Sequence, residues 1–409
     1  MSDRSRSFPL IRGPVAMVLA LFAVLTAVTI VLVATPREAA AASLREVTGF
    51  GSNPGNLQMF RYVPDNLPSG RPVVVAMHGC TQNASGYASG TGWMQLADRH
   101  GFTVVFPQQR SQNNANSCFN WFEPGDTRRG SGEALSINQM VDKAEQDNGA
   151  TSAYVSGLSA GGAMTSVMLA TYPDVFAGGG VIAGLPFGCA TSVATAYSCM
   201  SPGTDLTPAQ WGDKVRAAAS YSGPRPKVSI WHGAADTTVR PMNANELVEQ
   251  FTNANGTDQT PEVRDTVAGY PHRVYGGTVE QYEITGMGHG HPVDPGSGAA
   301  QCGTAGAYIL DVNICSAHYL VKFWGIDGTQ PTPTATPTGP TSSPTTTRPP
   351  YTETATGTPT DHYIAGRVDV TEYNILGARH GYTTTITLYR CGNDWTDKAD
   401  CSPLVVGYA

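Results

Sequence analysis

One serine in the chain has the surroundings that nucleophilic catalysis requires. Ser159 lies at the centre of the sequence GLSAG at 157–161, which has the pattern G-x-S-x-G. A short apolar segment at 153–155 precedes it, and a segment of helical character at 160–172 follows it. This pattern between a strand and a helix predicts a sharp turn that exposes the serine hydroxyl above a sheet. In the alternative interpretation, Ser159 only caps the helix of an ordinary tight turn.

A serine hydroxyl is a weak nucleophile unless a neighbouring base accepts its proton. His289 follows a predicted strand at 281–285, and Asp236 follows another at 227–231. The order Ser, Asp, His along the chain is typical of a large class of serine hydrolases. We therefore predict that Ser159 is the nucleophile, that His289 is its base, and that Asp236 orients the imidazole ring.

Two competitors for these roles stay open at this point. His291 lies two residues after His289 and is the alternative base, while Asp205 is the alternative acid. Five further histidines are predicted to be structural: His78, His100, His232, His272 and His318.

A second loop is placed to stabilise the negative charge of the transition state. The sequence HGCTQ at 78–82 directly follows a predicted strand at 73–77. In enzymes with this nucleophile turn, one N–H comes from such a loop and another from the residue after the nucleophile. We predict that the backbone N–H groups of Cys80 and Ala160 form the oxyanion hole.

Two tryptophans are candidate substrate contacts. Trp121 lies in the aromatic stretch CFNWF at 118–122, and Trp231 lies shortly before Asp236. Tryptophan is buried more often than not, so packing in the core is the alternative for both residues.

The elements that must position these residues alternate between strands and helices. Short apolar runs at 73–77, 102–106, 153–155 and 227–231 predict strands, and helical segments are predicted at 93–100, 133–146, 160–172, 243–251 and 317–324. Such alternation predicts an α/β fold, with a mostly parallel sheet covered by helices on both faces. The predicted chemistry then falls at the carboxyl ends of the strands, where α/β proteins place their sites.

Composition narrows the class of partner. Of the 409 residues, 41% are apolar and only 14% are charged, and the formal net charge is -7 without long charged runs. This balance argues against nucleic acid and anionic membranes as partners. We expect a neutral partner and a monomeric protein.

The N-terminal segment has the features of an export signal. Arg4, Arg6 and Arg12 precede an apolar run at 14–34, and alanines at 39–42 provide a cleavage site. We predict that residues 1–42 are a signal peptide and that the mature protein is secreted, with no membrane contact after cleavage. An uncleaved membrane anchor is the alternative, because the run approaches the ~20 residues that span a bilayer.

The eight cysteines all follow this signal. An even number in an exported chain predicts disulfides, although the pairing does not follow from the sequence alone. Pairing of sequence neighbours gives our predicted bridges: Cys80–Cys118, Cys189–Cys199, Cys302–Cys315 and Cys391–Cys401.

The composition changes abruptly at Thr329. Thr, Pro and Ser dominate from 329 to 360, which predicts an extended linker between a catalytic domain at 43–328 and a small module at 361–409. Within this module, an alternating segment at 382–389 predicts a β-strand. Its aromatic residues predict either a polymer-binding face or a small core: Tyr363, Tyr373, Tyr382, Tyr389 and Trp395.

Several of these stretches together resemble one family. They are HGCTQ at 78–82, GLSAGGAM at 157–164, TYPDVFAGG at 171–179, AGLPFGCA at 183–190, WHGAADTTV at 231–239 and GMGHG at 286–290. They resemble the extracellular short-chain poly(3-hydroxybutyrate) depolymerases, and secreted acetylxylan and feruloyl esterases share them. The sequence HYIAGR at 362–367 also resembles the start of a substrate-binding domain of polymer depolymerases.

The resemblance implies an α/β-hydrolase fold and a serine esterase with no metal or organic cofactor. It places the nucleophile on Ser159, the acid on Asp236 and the base on His289, whereas His291 stands where the family pattern suggests a small polar residue. The implied substrate is an insoluble polyester such as poly(3-hydroxybutyrate). Esters on plant xylan are the alternative substrate, and an inactive surface-binding protein or a secreted peptidase is the alternative of another class.

Overall fold

The computed structural model describes residues 42–328, 353–365, 367–368, 376, 383–391 and 394–396. The chain forms two compact units, Met1–Thr332 and Pro333–Ala409. Most of the predicted signal peptide and of the predicted linker lies outside the described residues. Within the described ranges, no helix has the length and apolar character needed to cross a bilayer.

The first unit is built on a ten-stranded sheet and a separate strand pair. Its strands are β1 Arg45–Val47, β2 Gln58–Tyr62, β3 Val73–Met77, β4 Thr103–Gln108, β5 Ala153–Leu158, β6 Phe176–Ile182, β7 Lys227–Gly233, β8 Val263–Val267, β9 Tyr270–Tyr275, β10 Val279–Ile284, β11 His291–Val293 and β12 Ile309–Asp311. Its helices are α1 Ala84–Gly90, α2 Trp93–His100, α3 Gly132–Asn148, α4 Ala160–Thr171, α5 Val193–Met200, α6 Pro208–Ala218, α7 Met242–Asn255 and α8 Ser316–Trp324.

The large sheet has the order β1-β2-β4-β3-β5-β6-β7-β10-β9-β8. The six strands from β4 to β10 pair in parallel, whereas β1, β2, β9 and β8 pair antiparallel at the two edges. Antiparallel edge strands are common on otherwise parallel sheets. The parallel centre brings the loops after β3, β5, β7 and β10 to one edge of the sheet, and this is the α/β-hydrolase arrangement that the sequence predicts.

The core has two layers, one on each face of the sheet. Side chains alternate along a strand, and accordingly Val73 and Val75 of β3 join one buried cluster while Val74 joins the other. Helices α3, α4 and α7 pack on the first face, and α2 and α8 pack on the second. Because both faces are covered, β3 is a continuous apolar run without exposed residues.

One large segment between β6 and β7 is absent from the predicted set of elements. It contains α5 and α6. Polar contacts hold it on α7, since Trp211 Nε1 donates to Glu246 Oε2 at 2.6 Å and Gln250 Nε2 donates to Phe187 O at 2.9 Å. We call residues 183–226 the α5–α6 insert.

Three of the four predicted disulfides are confirmed in the structure. Bridges join Cys80 to Cys118, Cys189 to Cys199, and Cys302 to Cys315. The fourth predicted bridge includes Cys401, which lies outside the described residues.

The second unit contains a three-stranded antiparallel sheet. The described strands are β13 Glu353–Gly357, β14 Ile386–Cys391 and β15 Asp394–Thr396, in the order β13-β14-β15, and helix α9 Pro359–Ile364 lies between β13 and β14 in the chain. Val368, Leu376 and Leu388 form its small buried cluster.

The start of this sheet corrects the predicted end of the linker. Strand β13 lies inside the segment 329–360, so the predicted linker cannot extend beyond Glu353 to Thr360. The physical reason is local, because no proline occurs between Pro350 and Pro359 and the β-branched threonines there pair with β14. The predicted strand at 382–389 is also shifted, since β14 begins at Ile386.

Candidate active site

The turn between β5 and α4 has the geometry of a nucleophile elbow. Ser159 has φ 59° and ψ -117°, a conformation that non-glycine residues seldom adopt. Its N–H donates to Ile182 O at 2.9 Å, which ties the turn to β6. A Cβ at Gly161 would come within 2.5 Å of Met77 O, so the close approach of α4 to β3 requires glycine there. This strained turn holds Ser159 at the edge of the sheet.

The predicted acid and base meet at the same edge. His289 Nδ1 and Asp236 Oδ2 are 2.7 Å apart, and the Asp236 side chain is fully buried. Asp236 Oδ1 accepts the N–H groups of Thr238 and Val239 at 2.8 and 3.0 Å. Because Nδ1 faces the carboxylate, Nε2 is the ring atom left to face a substrate or a serine. Ser159 and His289 line one cavity.

A further histidine contacts the acid, and the sequence-based prediction treats it only as structural. His232 Nε2 lies 2.8 Å from Val239 O and 3.4 Å from Asp236 Oδ2. A carbonyl oxygen can only accept a hydrogen bond, so Nε2 of His232 carries the proton. Its N–H points toward Val239 O and the nearby Asp236 Oδ2. Burial raises the pKa of Asp236, but hydrogen bonds from His232 and His289 outweigh it and hold the pKa below its usual range. Asp236 is therefore ionised at neutral pH.

The two competitors lie elsewhere. His291 is fully buried, with Tyr87 Oη at 3.1 Å from Nδ1 and Ser316 Oγ at 3.1 Å from Nε2. Both ring nitrogens are thus occupied in the core, and burial lowers the pKa of His291 to about 3. Asp205 is exposed and does not line the cavity that contains Ser159.

The loop after β3 forms one side of this cavity. Residues 79–82, 114–116 and 118 line it together, and we call them the loop wall. The Cys80–Cys118 disulfide joins the two segments, and Thr81 N donates to Asn116 O at 2.7 Å. Glu133 is buried behind them and accepts the N–H of Asn120 at 2.8 Å.

His78 is the buried support of the loop wall, as predicted for a structural histidine. Its Nε2 accepts Gln109 N–H at 3.2 Å, so its Nδ1 carries the proton that is donated to Gly79 O at 2.7 Å. Burial lowers the pKa of His78 to about 4, which keeps the ring neutral at neutral pH. These bonds hold the backbone next to Cys80, the predicted oxyanion donor, while Ala160 begins α4 directly after Ser159.

The opposite side of the cavity is apolar. Helix α5 contributes Val193, Ala196, Tyr197 and Met200, which we call the helical wall. The whole cavity has a volume of about 500 Å³, and we call it the cleft. Val193 is 52% exposed and Tyr197 is 65% exposed, so the helical wall reaches the surface at the mouth of the cleft.

Of the two tryptophans predicted to contact substrate, the structure places only Trp121 at the cleft. Trp231 is fully buried, stacks on Tyr282 with ring centroids 3.8 Å apart, and donates to Ser229 Oγ at 2.8 Å. The prediction for Trp231 is therefore wrong. Its position inside β7, rather than after the end of the strand, is the signal that indicates a core residue.

Tyr308 is a cleft residue that the sequence-based prediction missed. It is 49% exposed, its ring meets that of His289 edge-on at 6.2 Å, and its φ is 57°. Thr81 and Ser159 also line the cleft with positive φ values of 63° and 59°. Backbone strain of this kind persists only where the surrounding structure over-determines it, and active sites are among the places where it occurs.

The geometry suits nucleophilic acyl transfer, and comparison with known proteins agrees with it. The family model described as Esterase PHB depolymerase matches residues 59–269, which is more than half of the chain. The chain belongs to this family. The resemblance that the sequence motifs indicate is thus confirmed, and the chain is a carboxylic ester hydrolase of the α/β-hydrolase fold.

Individual relatives extend the comparison. Poly(3-hydroxyalkanoate) depolymerase C of Paucimonas lemoignei is 58% identical over 379 residues, which cover 88% of this chain and 91% of the relative. Feruloyl esterase B of Thermothelomyces thermophilus is 40% identical over 263 residues, which cover 61% of this chain and 89% of the relative. An acetyl xylan esterase structure from Aspergillus awamori has a TM-score of 0.57 at 34% identity, and the match covers 60% of this chain and 94% of that chain.

Proposed function

We propose that this chain is a secreted serine hydrolase that cleaves the ester bonds of an insoluble poly(3-hydroxyalkanoate). Its main substrate in this proposal is poly(3-hydroxybutyrate). The proposal rests on how much of the chain each relative matches. The match to the Paucimonas depolymerase covers 88% of the chain, which is more than the first unit alone supplies. The match to the feruloyl esterase covers 61%, which the first unit can contain. Similarity beyond the catalytic domain therefore favours the polyester.

The residues at the mouth of the cleft favour the proposal of a solid substrate. Among the described residues, five large apolar side chains are notably exposed, and three of them line the cleft: Val193, Tyr197 and Tyr308. Exposed apolar groups that cluster in this way mark interaction sites. A polyester surface, which is apolar and uncharged, matches such a rim.

The proposed reaction has two steps. Ser159 Oγ attacks the ester carbonyl carbon while its proton passes to His289 Nε2, and the N–H groups of Cys80 and Ala160 stabilise the resulting oxyanion. The carbon–oxygen bond to the alcohol part of the polymer then breaks, and His289 returns the proton to that oxygen. Water attacks the acyl-enzyme in the same way, which releases the acid product and restores Ser159.

The proposed role of the second unit is adsorption. The predicted module begins after a Thr/Pro-rich segment and carries several tyrosines, which suit a binding face. Tethering a catalytic unit to a surface raises its effective concentration there without any new contact at the site. A chain that ends at Gly328 should keep its kcat/KM on a soluble ester and lose activity on solid polymer.

Release assays on three substrates test the proposal. Purified full-length protein is incubated with poly(3-hydroxybutyrate) granules, acetylated xylan and feruloylated arabinoxylan, and the Ser159→Ala variant serves as the matched control. We expect release of 3-hydroxybutyrate and its oligomers from the granules, and none with the variant. Faster release of acetate or ferulate would instead establish the xylan esterase, which the 34% identical acetyl xylan esterase structure favours as the second candidate.

Labelling separates the enzyme from an inactive surface-binding protein. A fluorophosphonate probe reacts with activated serines, so the wild-type chain should be labelled and Ser159→Ala should not. Absence of labelling in the wild-type protein, combined with adsorption to granules, would support the binding protein and contradict the proposed hydrolase.

A further inference from the structure

A second groove lies beside the cleft. It has a volume of about 530 Å³ and runs between α1 and the loop that precedes β12. Asn83 and Ser89 line it from the side of α1, and Thr304, Ala305 and Ile309 line it from the opposite side. Asn83, Ser89, Thr304 and Ala305 are exposed.

The cleft and the second groove share a wall. Thr81 and Gln82 line both of them. The Gln82 side chain is held at this junction by two bonds, because Oε1 accepts Gly79 N–H at 2.8 Å and Nε2 donates to Ala307 O at 3.0 Å. An extended chain that leaves the cleft over Thr81 therefore crosses an ordered junction before it enters the second groove.

The chemistry of the second groove matches a polyester strand. Such a strand offers ester oxygens that accept hydrogen bonds, alternating with apolar carbon, and it has no donors of its own. Asn83 Oδ1 accepts Gly86 N–H at 2.8 Å, which leaves its Nδ2 as the amide atom that can donate. Ala305 supplies an exposed apolar contact, whereas Ile309 is largely buried.

A sugar polymer fits this groove less well. Sugar rings typically stack on exposed aromatic faces, and the aromatic residue of this groove, Tyr87, is 1% exposed. Its hydroxyl contacts His291 in the core at 3.1 Å.

We propose that the second groove is a chain-binding subsite for the polymer whose ester bond lies over Ser159. The strand continues from the cleft across Thr81 and Gln82 and occupies the second groove with its next repeating units. This inference rests on the proposed function, since it assumes a polymeric ester. It implies that the enzyme prefers long chains because of contacts that a short ester cannot make.

A length series of substrates tests the subsite. The kcat/KM values of the full-length protein are measured on 4-nitrophenyl butyrate and on soluble 3-hydroxybutyrate oligomers from the dimer upward. The variant Ala305→Trp fills the second groove, and Ala299→Trp, at an exposed loop position that lines none of the cavities described here, is the matched control. Melting temperatures show that both variants fold.

We expect kcat/KM of the wild type and of Ala299→Trp to rise with oligomer length. For Ala305→Trp the rise should be lost, which lowers kcat/KM on the longest oligomers about tenfold and leaves the short ester within about twofold. A second variant, Ser89→Trp, should act in the same way from the opposite side of the groove, with Ser297→Trp as its control.

The outcomes separate the two proposals. If both groove variants cleave every oligomer like the wild type, or lose activity equally on all substrates including the short ester, the subsite is refuted while the esterase stands. If the wild type cleaves no oligomer but deacetylates xylan, the proposed function itself is refuted, and the subsite inference is refuted with it.

Discussion

The two sides of the cleft are built in opposite ways. The loop wall consists of irregular backbone that a disulfide, buried hydrogen bonds and a neutral buried histidine hold in place. The helical wall is a regular helix that exposes apolar side chains such as Val193 and Tyr197, the latter at 65% exposure. Both walls line the same cleft and each is tied by a disulfide, but the loop wall is irregular backbone whereas the helical wall is a regular helix that presents apolar side chains.

This difference follows from what each wall must do. An oxyanion hole stabilises charge only if its N–H groups already point at the correct position, so displacement of the backbone is costly. Apolar contact is non-directional and scales with the area removed from water. Substitutions in the loop wall should therefore affect the chemical step, whereas substitutions in the helical wall should affect how the polymer is held.

The largest effect should come from the nucleophile, which both walls serve. Ser159→Ala should lower kcat on a soluble ester by roughly 10⁴ to 10⁶, and the double variant with His289→Ala should lose little more, because triad members act as a unit. Steady-state kinetics with an active-site titration measure this. Ser297→Ala, an exposed serine outside the cleft, should behave as wild type. More than about a tenth of the activity in Ser159→Ala would place the nucleophile elsewhere.

The second prediction compares the disulfides of the two walls. Removal of either bridge, as Cys80→Ser with Cys118→Ser or as Cys189→Ser with Cys199→Ser, should cost about 2–5 kcal/mol of unfolding free energy. Only the first pair should also lower kcat on a soluble ester, by about 10 to 100-fold, because it loosens the oxyanion backbone. Denaturant titrations and kinetics under conditions where both variants stay folded provide the test. Equal loss of kcat would mean that the walls do not differ in this way.

The third prediction concerns the helical wall. Tyr197→Ser should lower activity on a solid polyester film by about three- to tenfold. It removes apolar contact with the polymer that contributes about 1 kcal/mol of binding free energy. On a soluble ester its kcat/KM should stay close to wild type. Val263, which is 40% exposed and does not line the cleft, provides the control variant Val263→Ser. An equal loss on film and soluble ester would assign Tyr197 to the chemistry instead.

The last prediction concerns stability rather than activity, and its effect grows as the pH falls. His78 and His291 have pKa values lowered by burial to about 4 and about 3, below the ~6.5 of an unfolded histidine. Between those values the unfolded chain binds more protons, so stability is fully present above about pH 6.5 and falls as the pH drops, by up to ~1.4 kcal/mol per pH unit and histidine. His291→Asn should reduce this slope in denaturant titrations, although it is less stable throughout. Parallel curves for the two proteins would contradict the assignment.

The sequence predicts the centre of the fold well and its periphery poorly. Strand β3 and helix α2 follow from apolar runs and helical spacing, because a buried strand or an amphipathic helix is specified by its own residues. The α5–α6 insert lacks such a signal, since residues such as Val193 and Tyr197 are apolar but exposed.

The site shows the same division. The predicted residues Ser159, Asp236 and His289 lie at one edge of the sheet because each follows a strand whose end is readable in the sequence. Tyr308 was missed because its place at the cleft depends on a long loop, and His232 was missed because its contact with Asp236 is visible only in three dimensions. The prediction for Trp231 is wrong because nearness to Asp236 in the sequence does not bring a residue to the cleft. Trp231 lies within β7, and its side chain packs in the core.

The α5–α6 insert has a consequence for how substrate range can change. It enters between β6 and β7, carries its own disulfide, and is anchored on α7 through Glu246 and Gln250. None of these anchors is a triad residue or part of the loop wall. Recombination at the two ends of the insert would therefore replace the helical wall while Ser159, Asp236, His289 and the loop wall stay encoded elsewhere in the chain.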